Sequence, residues 1–285
     1  MKLKTMITLL SLTVGFLAVA QEEEKKEEKP ARPAFESQLL IDDQTVIIPT
    51  KNTLEWDIQH RFGTIDDGKN LAGLYETSNI RLGFTYSVLD KLNVGFGLTK
   101  DRNYYDFNAK YLILQQTRSN KIPVSVAYYG LIGIENSDRA KEIGGFIDQV
   151  SYFNQIMFAR RFSPNLSLQA SFVYSHYNAV VRWNKQVGES YDIFGLNVSG
   201  RYKFSGTMAA IFSYQTPLND HTGTDVSIEP NYTLGLEIAT SGHAFQVFVG
   251  NYYTLIPQRN LAYNQNELNS SGLLIGFNMT RLWNF

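Results

Sequence analysis

TLEWDIQHRF, residues 53 to 62, constrains this chain more tightly than any count of its residues. In an extended strand, successive side chains point to opposite sides. Leu54, Trp56 and Ile58 therefore share one face, and Glu55, Asp57, Gln59 and Arg61 share the other. The pattern repeats. NIRLGFTYSV sets Ile80, Leu82, Phe84, Tyr86 and Val88 against Arg81, Gly83, Thr85 and Ser87, and KLNVGFGLT sets Leu92, Val94, Phe96 and Leu98 against Asn93, Gly95, Gly97 and Thr99. In IFGLNVSGRYKF, Phe194, Leu196, Val198, Tyr202 and Phe204 oppose Gly195, Asn197, Ser199, Arg201 and Lys203. No long stretch beyond residue 53 keeps a helical period.

Less regular segments of the same kind cover 104–114, 123–133, 150–162, 166–174, 208–214, 232–239, 244–253 and 272–285. Together they predict about twelve strands, each near the roughly 9–11 residues that a tilted membrane-crossing strand requires. In 150–162, Arg160 and Arg161 cannot both face inward, and the sequence leaves open which does. Short turns at Asp90, Pro164, Gly206 and Gly242 alternate with long polar connections over 63–77, 135–149, 175–191, 216–231 and 255–271. Short turns on one rim and long loops on the other are the asymmetry of an outer-membrane barrel, with both chain ends on the periplasmic side.

A soluble β-sandwich also alternates, but it joins its apolar faces in one core. Here the apolar face carries aromatics near strand ends: Trp56, Phe62, Tyr86, Phe162, Tyr174, Tyr202, Trp283 and Phe285. Those are girdle positions at a membrane interface. The polar face is rich in glycine, serine and asparagine, which suits a crowded lumen. The expected fold is all-β: a transmembrane antiparallel up-and-down barrel of about twelve strands over residues 53–285, in contact with outer-membrane lipid.

The first twenty residues read as a secretory leader. Lys2 and Lys4 precede the apolar run from Met6 to Leu17, and Ala18-Val19-Ala20 forms a small-residue cleavage site. The apolar run is too short to span a bilayer. EEEKKEEKPARP, residues 22 to 33, is too charged to order itself. Residues 21–52 are accordingly expected to form a charged, largely flexible periplasmic segment. The chain has no cysteine, which excludes disulfides and thiolate metal sites, and its formal net charge of −1 offers no basic footprint for nucleic acid.

On the last strand, Trp283 and Phe285 share a face with Leu273, Ile275, Phe277 and Met279. This tail resembles the carboxy-terminal signal of outer-membrane barrels, which implies the barrel-assembly machinery as a partner. Arg281 departs from the pattern, at a place where an arginine can snorkel to the interface.

The polar faces turn Glu55, Asp57, Arg61, Arg81, Asp106, Lys110, Arg201, Lys203 and Glu237 toward the lumen. Such a set forms either a charged constriction selecting small polar solutes or a network of ion pairs bracing and plugging a narrow barrel. A passive channel is the leading reading, and a plugged barrel whose outer loops bind a surface partner is the alternative. HRFG, from His60, and GHAFQ, from Gly242, resemble stretches of an uncharacterised Bacteroidota outer-membrane β-barrel family. That resemblance implies location and fold but no activity.

Catalysis is a remote third reading. Ser175, His176 and Asn178 supply the residue types of an outer-membrane phospholipase, but adjacent strand residues face opposite ways. No catalytic, cofactor-binding or metal-ligating set is expected. Asn219, Asp220 and Asp225 read as an ordinary polar loop rather than a calcium site.

Overall fold

In hydrocarbon every backbone N–H and C=O must find a partner within the protein, so a membrane-crossing sheet must close on itself. The computed structural model describes residues 28–65, 71–181, 187–219, 228–269 and 271–285. The expected leader, Asp220 and Asp225 lie outside the described residues.

Two short strands come first, β1 (Leu39–Leu40) and β2 (Asp43–Gln44). The wall strands follow as β3 (Thr53–Thr64), β4 (Asn79–Leu89), β5 (Leu92–Thr99), β6 (Tyr104–Leu114), β7 (Ser125–Glu135) and β8 (Val150–Arg161). They continue as β9 (Leu166–Val181), β10 (Val187–Lys203), β11 (Met208–Pro217), β12 (Asn231–Ala239), β13 (His243–Gly250) and β14 (Leu274–Asn284). Among the described residues two short α-helices lie in connections, α1 (Asp138–Ile143) and α2 (Pro257–Tyr263), besides 3-10 turns at Asp101–Asn103 and Phe146–Gln149. Strands β3 to β14 form a closed antiparallel barrel. Its seam joins β14 to β3, with Asn284 opposite Thr53 and Met279 opposite Ile58.

The period-two pattern becomes the two sides of this wall. Glu55, Asp57, Gln59 and Arg61 of β3 are buried inside, while outward positions such as Phe84, Phe107 and Val247 are exposed on the outer surface. Seen on the wall, Arg160 lies outside against the Phe162 ring, 5.3 Å away. Arg161 turns to the rim instead, donating to the carbonyls of Pro33 and Pro164.

The structure departs from expectation at three places. The connection expected over 175–191 is largely strand, because β9 and β10 remain paired up to Val181 and Val187. The connection over 255–271 folds inward as α2, with Gln258, Asn260, Leu261 and Ala262 buried. Residues 34–48, which fall in the segment expected to be charged and largely flexible, enter the barrel. Phe35, Leu39, Leu40, Ile41 and Val46 are buried there, and β1 and β2 form a small hairpin within the lumen.

A nonspecific protease acting on the folded barrel in detergent should therefore trim the N-terminus and stop before Ala34, as read by sequencing the product. A product beginning near Asn52 would place the hairpin outside.

Candidate functional site

The hairpin turns at Ile41 and Asp42, where Ile41 adopts the left-handed conformation with φ of 61°. That conformation costs a β-branched residue on the order of 1–3 kcal/mol. It persists because wall side chains hold both backbone groups of Ile41. Its N–H donates to Gln246 Oε1 at 2.9 Å, and its carbonyl accepts from Asn278 Nδ2 at 2.6 Å.

The hairpin has two outer edges whose backbone needs partners, and one glutamine serves each. Gln246 of β13 also donates to the Leu39 carbonyl at 3.0 Å, so its amide pairs with residues 39 and 41 as a neighbouring strand would. Gln169 of β9 does the same on the other edge. It donates to the Gln44 carbonyl at 2.7 Å and accepts from the Val46 N–H at 3.2 Å. A primary amide carries donor and acceptor side by side, which is what one unpaired strand edge presents.

Charged side chains complete the cradle. Lys110 of β6 sends its ammonium group into the hairpin, donating to the Thr45 carbonyl at 3.0 Å, Gln44 Oε1 at 3.1 Å and the Gln38 carbonyl at 3.4 Å. Arg61 is fully buried, pairs with Asp42 and lies 4.4 Å from the Phe248 ring centroid. Asp43 accepts from Ser213 Oγ at 2.6 Å and from the Asn197 amide.

Other charges satisfy one another on the wall. Arg81 bridges Asp57 at 2.9 Å and Asp106 at 2.8 Å. A Cβ at Gly83 would lie 2.0 Å from Asp57 Oδ2, and one at Gly97 would lie 2.2 Å from Arg81 Nη2. These two glycines leave the wall bare so that the guanidinium can lie against it. Arg201 pairs with Glu237 at 2.6 Å, and Glu237 also accepts from Gln246 at 3.0 Å.

Beyond the hairpin tip, α2 fills the loop-side mouth. Gln258 donates to the Tyr104 hydroxyl at 2.9 Å, and Tyr263 meets Tyr177 edge-on at 5.7 Å. Two cavities lie between hairpin and helix, each of about 20 Å³. One water needs roughly 10–15 Å³. Each cavity thus has room for about one water and for no solute, so among the described residues the hairpin and α2 fill the lumen between them.

Of the residues singled out from sequence, Glu55, Asp57, Arg61, Arg81, Asp106, Lys110, Arg201 and Glu237 lie buried inside the barrel. Lys203 ends β10, is only partly buried, and stands apart from these clusters. Trp283 stacks on Trp56 with centroids 6.4 Å apart, and Phe285 is exposed at the chain end. Ser175 is buried inside while His176 lies outside, so the two do not meet. Searching for charge missed Gln169 and Gln246. Their signal was a glutamine at an inward position of a membrane strand, and Gln246 is the last residue of GHAFQ.

Asp43 belongs to the hairpin and not to a membrane-crossing strand. Burial pushes its carboxyl up to about 7; Asp42 adds to the rise, while the bonds from Ser213 and Asn197 oppose it. A raised value means that the docked hairpin holds the proton more tightly than the free segment. This contribution to docking is complete below about pH 4 and is lost as pH rises through about 7.

The family described as membrane bound beta barrel domain (DUF5777) matches residues 35–283, hairpin included. Among solved structures, the COG4313 outer membrane channel from Pseudomonas putida F1 is 12% identical with a TM-score of 0.50, covering 92% of this chain and 100% of that one. The NanC porin is 8% identical with a TM-score of 0.49, covering 81% of this chain and 99% of that one. At such identities the likeness to the first is one of fold alone. No curated protein matches the chain.

Gln246→Leu strips two buried backbone groups of their partner, at about 1–3 kcal/mol each. Amide exchange over residues 39–46 should rise at least about tenfold while the strands keep their protection; unchanged exchange would remove the glutamine from this role. Between about pH 4 and 7, hairpin protection factors should fall as pH rises, and Asp43→Asn should flatten that slope.

Proposed function

The chain belongs to the DUF5777 family of membrane-bound β-barrel domains, and on that premise we propose that it is an outer-membrane channel for small polar solutes, closed by its own N-terminal hairpin. Export through the leader at 1–20 and insertion guided by Trp283 and Phe285 bring it there. The rim with the chain ends faces the periplasm, and the long connections face outward.

One observation carries this reading: the hairpin is an insert and not part of the wall. Its strands pair with each other and with no barrel strand, and wall side chains hold it. With the hairpin withdrawn, the inner face is charged on β3 to β6, through Glu55, Asp57, Arg61, Arg81 and Lys110, and apolar over much of β7 to β11, through Leu131, Phe153, Met157, Val173 and Ile211. The charged side is of the kind that conducts hydrated solutes. Arg81 with Asp57 and Asp106, and Arg201 with Glu237, remain paired without it. Arg61, by contrast, loses its partner Asp42 when the hairpin leaves.

The filled lumen also supports the second reading, a permanently plugged barrel that presents its loops to a partner. Catalysis has no support in Ser175 and His176, which occupy opposite faces of β9.

Planar-bilayer conductance separates these readings. The intact protein should conduct little and in brief events, and a chain lacking residues 34–48, with α2 (Pro257–Tyr263) replaced by a short glycine-serine linker, should give stable stepwise currents. Silence from the truncated barrel, once heat-modifiable gel mobility shows that it is folded, would sink the channel reading and leave the plugged one.

A further inference from the structure

The outer wall is expected to be convex and greasy, yet between β6 and β9 it is hollowed into a groove of about 600 Å³. The hollow exists because two outward positions are small. Ala109 and Gly130 stand opposite each other on β6 and β7. A side chain added at Gly130 would meet nothing nearer than the Tyr128 hydroxyl at 3.4 Å. Phe107, Tyr128, Ile132 and Tyr152 line its sides. The shape and apolarity suit a hydrocarbon chain.

The far end of the groove is polar, which a surface facing only hydrocarbon would not be. His176 lies directly opposite Asp192 of β10, with its Nδ1 2.7 Å from Asp192 Oδ1. The Tyr174 hydroxyl donates to the same oxygen at 2.7 Å. His176 Nε2 lies 3.1 Å from Asn178 Oδ1, and the Tyr152 ring packs 6.0 Å from the imidazole. Half of the Asp192 side chain remains open to the outside. None of these groups is used by the plugged lumen.

Height along the wall says what meets this cluster. His176 lies ten residues beyond Leu166, the first residue of β9. That is about 33 Å along the strand and, at a tilt near 40–45°, about 25 Å along the membrane normal, the height of a barrel's apolar band. The cluster thus stands where headgroups begin, with the groove running below it among the chains.

Its chemistry narrows the headgroup. No lysine or arginine lines the groove, so the usual cationic grip on a phosphate is missing. A carboxylate, an imidazole, an amide and phenol rings instead match hydroxyls, which donate and accept at one atom. We infer that this groove binds a glycolipid, one acyl chain lying over Ala109 and Gly130 and the sugar hydrogen-bonded to Asp192 and Asn178, with His176 holding those two side chains in place. The site is independent of whether the lumen conducts.

Native mass spectrometry of the full barrel, offered equal monogalactosyldiacylglycerol and phosphatidylglycerol, tests this. The barrel should retain one galactolipid in preference to the phospholipid. Gly130→Leu, which fills the groove, and Asp192→Asn, which changes only the cluster, should each cut retention by roughly tenfold, while Leu234→Ala on the far wall should not. If Gly130→Leu does not fold, Ala109→Leu fills the same space. Equal retention of both lipids, preference for the phospholipid, loss of neither in the variants, or retention of neither lipid would overturn the assignment.

Discussion

A sheet in hydrocarbon cannot leave backbone groups without partners, and everything distinctive about this chain follows from that demand. It forces the twelve wall strands to close, with β14 returning to β3. Closure puts one face of each strand against lipid and the other into a narrow interior. The interior is then subject to the same accounting, since polar groups packed away from water must also be satisfied. The barrel meets it by taking in a hairpin of its own sequence. Gln169 and Gln246 act as strand edges for a segment too short to join the sheet, and Lys110 gathers carbonyls that would otherwise lack donors.

How much of this was legible depends on whether the signal is local. The wall was legible, because alternation and rim asymmetry are read a few residues at a time: the first strand starts at Thr53 and the seam closes with an even strand count. The same alternation turns eight of the nine expected charges to the buried side, and Lys203, at the end of β10, is only partly buried. The long β9–β10 hairpin was not legible, because its upper part carries polar residues on both faces and reads as loop. The hairpin at 34–48 was obscured by its neighbour. The charged run ends at Pro33, and AFESQLLIDDQTVII is a different composition, with Phe35, Leu39, Leu40, Ile41, Val46, Ile47 and Ile48. An apolar cluster of that kind argues against a solvated tether, but where it docks depends on side chains up to about 240 residues away, such as Asn278, which no local window shows.

The interior charges fall into two sets with different consequences. Arg81 is neutralised by carboxylates of the wall, and Arg201 by Glu237 of the wall with Glu36 of the docked segment 3.6 Å away, so those wall pairs fix strand against strand. Arg61 pairs with Asp42 of the hairpin, and Lys110 donates to hairpin carbonyls while Glu55 of the wall supplies its counter-charge. Buried pairs add little net stability, because desolvation offsets their attraction, yet breaking one leaves an isolated charge at a cost of about 3–5 kcal/mol. The wall–hairpin contacts therefore act chiefly as a register. They make one docked position far better than its neighbours without making the hairpin indispensable to the wall.

Connectivity completes the picture. Only residues 49–52 separate Ile48 of the docked segment from the start of β3. The hairpin cannot leave as a free plug would; it can only swing out through the rim where the chain ends lie. A short tether keeps its effective concentration near the lumen at about millimolar or above. Loss of a single neutral hydrogen bond, worth about 0.5–1.5 kcal/mol, then shifts the time spent docked without abolishing return. Lasting opening requires that several contacts fail together, and those contacts are spread over β6, β9, β13 and β14. Residues 29–31 pin the other end of the insert to the turn after β6, where the Ala31 N–H donates to the Gln116 carbonyl and Arg118 donates to the carbonyls of Lys29 and Pro30, so the docked segment is held to the wall at both of its ends.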